Sequence, residues 1–292
     1  MNTPTLNSLP DTDTWSKAGF LALNAGSSSL KVALFSAYGD EALVTGQVER
    51  IGPDGSAVLK GRDGSALPLA AGDLSHHDGA LKLVIATIQQ AYPDLQLAAV
   101  GHRVVHGGPD FKAPALVDDQ VLEKLEALSS FAPLHQPHNI AGIRTAMAAF
   151  PGVPQVACFD TAFHRGQPFV NDTFALPHRY YEIGVRRYGF HGLSYDYVTG
   201  ELQRIAPHLF SGRVVIAHLG NGASMCAIHN GRSVASSMGF SALDGLPMGT
   251  RCGQIDPGVM LYMLDQEKLN TAQIRQILYN ESGLLGLSGG LS

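Results

Sequence analysis

The feature that most limits what this chain can fold into is a unit that occurs twice. Phe20-Leu-Ala-Leu23 is a short apolar run broken by the small polar stretch Asn24-Ala-Gly26-Ser-Ser-Ser29, after which Leu30-Lys-Val-Ala-Leu-Phe35 resumes in β-forming residues. Arg213-Val-Val-Ile-Ala-His-Leu219, Gly220-Asn-Gly222 and Ala223-Ser-Met-Cys-Ala-Ile228 repeat that order of strand, tight turn and strand. A hairpin of this kind in each half of a 292-residue chain implies a duplicated domain, with a boundary near Asp160.

The residues between the two units change period. Leu43 to Ile51, Ala57 to Lys60 and Ala66 to Leu69 extend the first hairpin into an antiparallel meander. Leu81, Val84, Ile85 and Ile88 then fall on one helical face, Ala98 to Val105 reads as a strand, and Val121, Leu122, Leu125 and Leu128 mark a second helix. Pro137-His-Asn139 opens a third helix through Ile140, Ile143 and Met147, and Val153 to Phe159 is a further buried strand. A meander followed by alternating β and α is an α/β pattern whose sheet mixes antiparallel and parallel pairs. Residues 1–16 read as a loose polar tail, 17–160 as the first domain and 161–292 as the second.

Composition removes several classes of function. With 20 Lys plus Arg against 25 Asp plus Glu the formal charge is −5, which excludes a basic nucleic-acid binder. At 45% hydrophobic and 15% charged residues the chain has material for a large core and is not disordered. No apolar run approaches the roughly 20 residues that span a bilayer. The tail lacks the basic and apolar segments of a signal peptide. Cys158, Cys226 and Cys252 are far apart and odd in number, as expected of reduced thiols in a cytoplasmic protein.

Both turns expose backbone N–H groups among small residues, a geometry that accepts phosphate. Asn24, Ser27, Ser28 and Ser29 form the first, with Lys31 just beyond, and Asn221 stands between glycines in the second. Neither fits a P-loop or a dinucleotide fingerprint, and either alone could simply close a hairpin. Nine of the 33 glycines lie between Gly212 and Gly258, where this second turn sits.

Four further residues are placed where chemistry is done. Arg103 interrupts an apolar strand and needs an anion, either a ligand or an internal carboxylate. Asp160 follows a buried strand at the edge where open α/β sheets bind ligands; the alternative for it, or for Thr161, is a helix N-cap. His191 is framed by glycines and aromatics, and Arg251 stands in the glycine-punctuated loop Gly245 to Gly258. Gly286-Leu-Ser288-Gly-Gly290 matches a nucleophile elbow by letter, but no helix, Asp or His follows. His76-His77 and His135-Gln-Pro-His138 lack the companions of a metal site; His135 to Asn139 read as a loop or N-terminal helix cap.

Leu23-Asn-Ala-Gly-Ser-Ser-Ser-Leu-Lys31, Gly101-His-Arg-Val-Val-His-Gly-Gly108, Phe159-Asp-Thr-Ala-Phe-His164, Arg187-Tyr-Gly-Phe-His-Gly192, His218-Leu-Gly-Asn-Gly222 and Met248-Gly-Thr-Arg251, in this order, closely resemble the acetate kinase family. The resemblance runs from about residue 20 to 292. It implies an α/β fold of two duplicated ribonuclease-H-like, actin-like ATPase domains, and reversible phosphoryl transfer between ATP and acetate to give ADP and acetyl phosphate with Mg²⁺ (or Mn²⁺). It also implies a homodimer. By the same resemblance Asn24 would help place the metal, and Ser27, Ser29 and Lys31 would lie near the phosphates. Arg103 would bind acetate or acetyl phosphate, His191 and Arg251 would stabilise the transferring group, and His218, Leu219, Gly220, Asn221 and Gly222 would form the phosphate turn on the ATP side. Asp160 matches the family's proton donor/acceptor, although a carboxylate nucleophile has no proton to lose.

Val105, Leu134, Phe190 and Ala242 match the pocket for the acetate methyl group. Proline is commoner in the family at Ala242, which makes propionate an alternative substrate; Gln136 and Gln254 likewise replace commoner Asn and Asp. Family members continue well beyond Ser292, through residues that contact adenosine and metal and a helix that returns to the first domain. The resemblance therefore implies a C-terminally truncated chain with an incomplete second domain and exposed apolar surface, and leaves a non-catalytic actin-like binding module as a second alternative.

Overall fold

The computed structural model describes residues 18–26, 28–39, 41–133 and 135–290. The expectations for the tail, for Ser27 and for Leu134 lie outside the described residues. The chain divides into two compact units, residues 1–104 with 114–158 and residues 105–113 with 159–292. This differs from a single cut near Asp160 in that Val105–Ala113 groups with the second unit.

The first unit is built on a seven-stranded sheet of order β4-β3-β2-β1-β5-β7-β6. Its strands are β1 (Ala18–Ala25), β2 (Ser29–Ser36), β3 (Ala42–Glu49), β4 (Ser56–Gly61), β5 (Gln96–Val104), the two-residue β6 (Ala115–Leu116) and β7 (Gln155–Phe159). β1 to β4 form the antiparallel meander, and β5 lies parallel to β1. Alternation assigns the faces: Leu21, Leu23, Leu30, Val32, Leu34, Val44, Val48, Leu59 and Val100 point into one core. Helix α1 (His77–Ala91) covers it with Leu81, Val84, Ile85 and Ile88. Helix α2 (Asp119–Ala127) is capped by the Asp118 side chain on the Val121 N–H, and α3 (Gln136–Ala149) starts with proline in its first turn. Each fully buried Leu, Val or Ile stabilises by roughly 1.5–3 kcal/mol, so this face outweighs local propensity.

The second unit opens its own sheet with β8 (Arg213–Leu219), β9 (Ala223–His229) and β10 (Arg232–Ser236), an antiparallel meander of order β10-β9-β8. The order matches β3-β2-β1 of the first unit, as the duplicated hairpin implies. Helix α4 (Gly192–Ile205) supplies Tyr195 to a core with Cys226 and Ile228. Helices α5 (Pro257–Asp265) and α6 (Thr271–Gln276) follow, α6 closed by a reciprocal capping box between Asn270 and Gln273. Val215, Leu219, Leu261 and Tyr262 are exposed in this unit.

One reading of the sequence is corrected. Ala66–Leu69 is not a strand: only Ala66 makes an isolated bridge, to Lys60, and Pro68 has no N–H to continue a ladder. His135 stands at the N-cap position of α3, although its side chain makes no cap hydrogen bond; Asn139, three residues into that helix, reaches the first turn.

Candidate functional site

In the first unit the turn between β1 and β2 is closed by the Gly26 N–H donating to the Ser29 carbonyl at 2.8 Å. Its two preceding carbonyls are each held by a side chain from a helix start. Asn139 Nδ2 donates to the Ala25 carbonyl at 2.7 Å, and His77 Nε2, the first residue of α1, lies 2.7 Å from the Gly26 carbonyl. A carbonyl only accepts, so that contact fixes the His77 proton on Nε2. The His77 ring stacks on His138 with centroids 4.8 Å apart. Two helix N-termini thus converge on one polar turn, and both favour negative charge there.

Strand register puts the polar side chains of this unit on one face. Lys31 is the cross-strand partner of Asn24, and Arg103 on parallel β5 donates through NH1 to Asn24 Oδ1 at 3.2 Å. The guanidinium that the sequence placed in an apolar strand therefore has a neutral amide beside it.

In the second unit Asp160 is 3% exposed. Its backbone carbonyl accepts from the Gly192 N–H at 2.8 Å, fastening the start of α4. The Thr161 hydroxyl accepts from the Gly107 N–H at 3.0 Å and makes no cap for the turn that follows. His191 occupies the residue before α4 with φ of +59°, a left-handed conformation uncommon for a side-chain-bearing residue and frequent at functional sites.

That backbone conformation brings His191 against the second hairpin. Its Nδ1 is 2.8 Å from Ser224 Oγ, and its ring stacks on His218 with centroids 4.0 Å apart. His218 Nδ1 lies 3.0 Å from Ser194 Oγ. Gly222, in the turn, faces both candidate donors: a Cβ there would sit 3.0 Å from His191 Nε2 and 3.6 Å from Arg251 NH1. Arg251 NH1 donates to the Ala242 carbonyl at 3.0 Å. Burial pulls the Arg251 pKa down from its usual value, yet a guanidinium stays charged. His191, Arg251 and the hairpin turn thus converge on one point, where donors and a small-residue backbone suit a phosphoryl group.

Behind this point the unit is aromatic. Val105 and Phe190 are buried, His106 packs edge-on against Tyr188 at 4.3 Å and Phe190 at 5.8 Å, and Arg165 lies 4.7 Å over the Tyr188 ring. His164 Nδ1 is 2.7 Å from Ser233 Oγ and its Nε2 3.0 Å from the Phe190 carbonyl. Gly189 has φ of +69°, and a Cβ there would fall 2.7 Å from the His164 ring, so only glycine serves. Burial pushes His106 down to about 3 and His164 to about 4, so both are neutral at pH 7.

Several of these residues escaped sequence reasoning. His106 and His164 lie inside the quoted motifs without a distinguishing letter beside them. Ser224, Tyr195, His77 and Asn139 carry no local signal, since each acts on a residue distant in the chain. A groove of about 360 Å³ over β3 and β4, lined by Thr45, Gln47, Glu49 and Lys60, contains none of the candidate residues.

The candidate donors do not make a preformed cage for a divalent metal. No cluster of three or more His, Cys, Asp or Glu able to hold an ion occurs among the described residues, and Asn24 Oδ1 already accepts from Arg103. Asp160 is the one carboxylate among the candidates. Such a set fits a metal that arrives on substrate phosphates with one protein carboxylate, and does not fit a preformed protein cage. No helix among the described residues is long and apolar enough to cross a membrane.

The acetokinase family profile matches residues 19–292. The acetate kinase of Methylocella silvestris is 54% identical over 281 residues, covering 92% of this chain and 70% of that protein. That of Nitrobacter hamburgensis is 50% identical over 278 residues, covering 92% and 68%. Among solved structures, a propionate kinase from Francisella tularensis superposes with a TM-score of 0.86 at 36% identity, covering 94% of this chain and 71% of that one. The Porphyromonas gingivalis acetate kinase does so with a TM-score of 0.83 at 36% identity, covering 93% and 70%.

Proposed function

This chain belongs to the acetokinase family, as a phosphotransferase of the acetate kinase type with ATP and acetate as substrates, and from that premise we propose how its own residues carry the reaction. The α/β fold with its large mixed sheet is that of the acetate and propionate kinase structures. The reaction passes a γ-phosphoryl group to a carboxylate oxygen, with little covalent work for the protein beyond alignment and charge neutralisation.

Arg103 takes the acetate carboxylate or the acyl phosphate through its planar fork. Asn24 holds the guanidinium in plane, in place of the direct metal contact expected from the resemblance. His191 and Arg251 donate to the equatorial oxygens of the transferring group, where charge is spread in the transition state. Ser29 and Lys31 beside the first turn, and the segment from His218 to Gly222 around the second, receive phosphates through backbone N–H groups and charge. The observation that supports this reading best is the approach of His191 Nε2 and Arg251 NH1 to Gly222.

Acetate at neutral pH is already ionised, so Asp160 removes no proton. Its role is electrostatic, orienting charge near the reacting atoms. Mg²⁺, or Mn²⁺, bound to the nucleotide phosphates would offset their charge when present, with Asp160 the carboxylate suited to its hydration shell. Val105 and Phe190 back the methyl site. Ala242, whose carbonyl holds Arg251, carries only a methyl group itself. That, with the propionate kinase likeness, supports propionate as a second substrate. A homodimer in the cytoplasm completes the proposal.

Trapping acetyl phosphate as its hydroxamate tests the reading. ATP-dependent product from this chain that disappears in Arg103→Ala supports it, and absence of product favours the binding-module alternative. Negligible turnover of propionate beside acetate removes the second substrate.

A further inference from the structure

We infer that Tyr195 and Ser224 are positioning residues that fix the proton of His191 on Nε2, so that this nitrogen arrives at the phosphoryl group as a donor. The inference rests on the proposed role of His191 and adds two residues and a direction to it.

The geometry runs from α4 through β9 to the ring. Ser224 is fully buried, and its hydroxyl lies between two groups, Tyr195 Oη at 2.5 Å and His191 Nδ1 at 2.8 Å. A buried hydroxyl proton needs an acceptor. Tyr195 is fully buried and, among the described residues, the hydrogen bond its phenol makes is to Ser224 Oγ, so its proton is directed there. The Ser224 proton then goes to His191 Nδ1. A neutral imidazole that accepts at Nδ1 carries its proton on Nε2, the nitrogen on the Gly222 side of the ring.

Two other contacts hold the ring while this happens. His218 and Ser224 are direct cross-strand partners on β8 and β9, and His191 uses both, stacking on the first and bonding to the second. The left-handed backbone at His191 aims the side chain at that pair. Tyr195 is fully buried, so its ring cannot swing away when solvent or substrate enters. A donor prepared before substrate binds needs no reorganisation in the transition state.

The test uses the 292-residue chain labelled with ¹⁵N-histidine, with His191 assigned by its loss in His191→Gln. Long-range ¹H–¹⁵N spectra at pH 7.5 are expected to show His191 neutral and protonated on Nε2. Tyr195→Phe and Ser224→Ala are expected to mix the two tautomers and to lower kcat about 10–100-fold, the range for outer groups that orient a functional histidine. The KM values for acetate and ATP stay within about twofold. Tyr195→Phe keeps the buried ring and so remains informative if Ser224→Ala folds poorly. Protonation on Nδ1 in the unaltered protein overturns the relay, as does Tyr195→Phe with unchanged tautomer and kcat. Full turnover in His191→Ala instead overturns the role of His191 itself, leaving the spectroscopic result standing.

Discussion

Arg103 on β5 and Asn24 on β1 meet across two parallel strands, NH1 donating to Oδ1 at 3.2 Å. This links the residue proposed to bind the carboxylate to the residue that opens the first turn. Groups in contact couple, so Asn24→Ala and Arg103→Ala should be non-additive in kcat/KM for acetate, by about 0.5–3 kcal/mol. The complete cycle measures it, and Asn24→Ala should raise the KM for acetate while leaving the metal concentration for half-activation unchanged. A shift confined to metal activation would return Asn24 to the metal.

Gly222→Ala places a methyl group where His191 Nε2 and Arg251 NH1 converge. Gly222 is half-exposed and the rest of the turn exposed, so thermal stability should change little. Turnover should fall about 100-fold, as expected when reacting groups are displaced by about an ångström. Steady-state kinetics beside a melting curve distinguishes this from a general loss of fold.

Arg165 and Asp172 form a 2.8 Å ion pair with side chains 4% and 11% exposed. Arg165 also donates to the Arg187 and Tyr188 carbonyls, which lead into the His191 segment. Asp172→Ala leaves that guanidinium buried without its carboxylate and should cost about 3–5 kcal/mol. Urea denaturation reads the loss as a lower midpoint.

His106 and His164 give the pH dependence a sign. Burial, aided by the positive charge of Arg165, holds His106 at about 3, and burial foremost holds His164 at about 4. Both lie below the ordinary 6.5, so the unfolded chain takes up these protons first as pH falls. Stability is full above about pH 6.5 and declines as pH drops towards 4, by about 1.4 kcal/mol per pH unit for each histidine. Denaturation midpoints at pH 7.5, 5.5 and 4.5 should show the decline, and His164→Asn should reduce its slope.

Much of the fold was legible in order and period. The β-forming runs broken by polar turns in residues 20–35 and 213–228 identified both hairpins, and the stripe Leu81, Val84, Ile85, Ile88 identified α1 because that face is buried. The helices after residue 256 were not read, since Val259, Leu261, Tyr262 and Leu264 are all exposed and α5 has no buried residue to set a period. Ala66–Leu69 had strand-like letters, but its pairing with β4 stops at a single bridge before Pro68.

By itself the sequence determined the duplicated hairpin, the polar turns, the family and the residue types proposed to meet phosphate and carboxylate. Only the tertiary structure decided what those residues do for one another: that Asn24 serves Arg103, that Asn139 and His77 hold the carbonyls of the first turn, and that Tyr195 and Ser224 address His191. The physical reason is range. Strand and helix periods come from neighbours within a few residues, whereas hydrogen-bond partners such as Asn24 and Arg103, or His191 and Ser224, are distant in the chain and become neighbours only through strand register and helix packing.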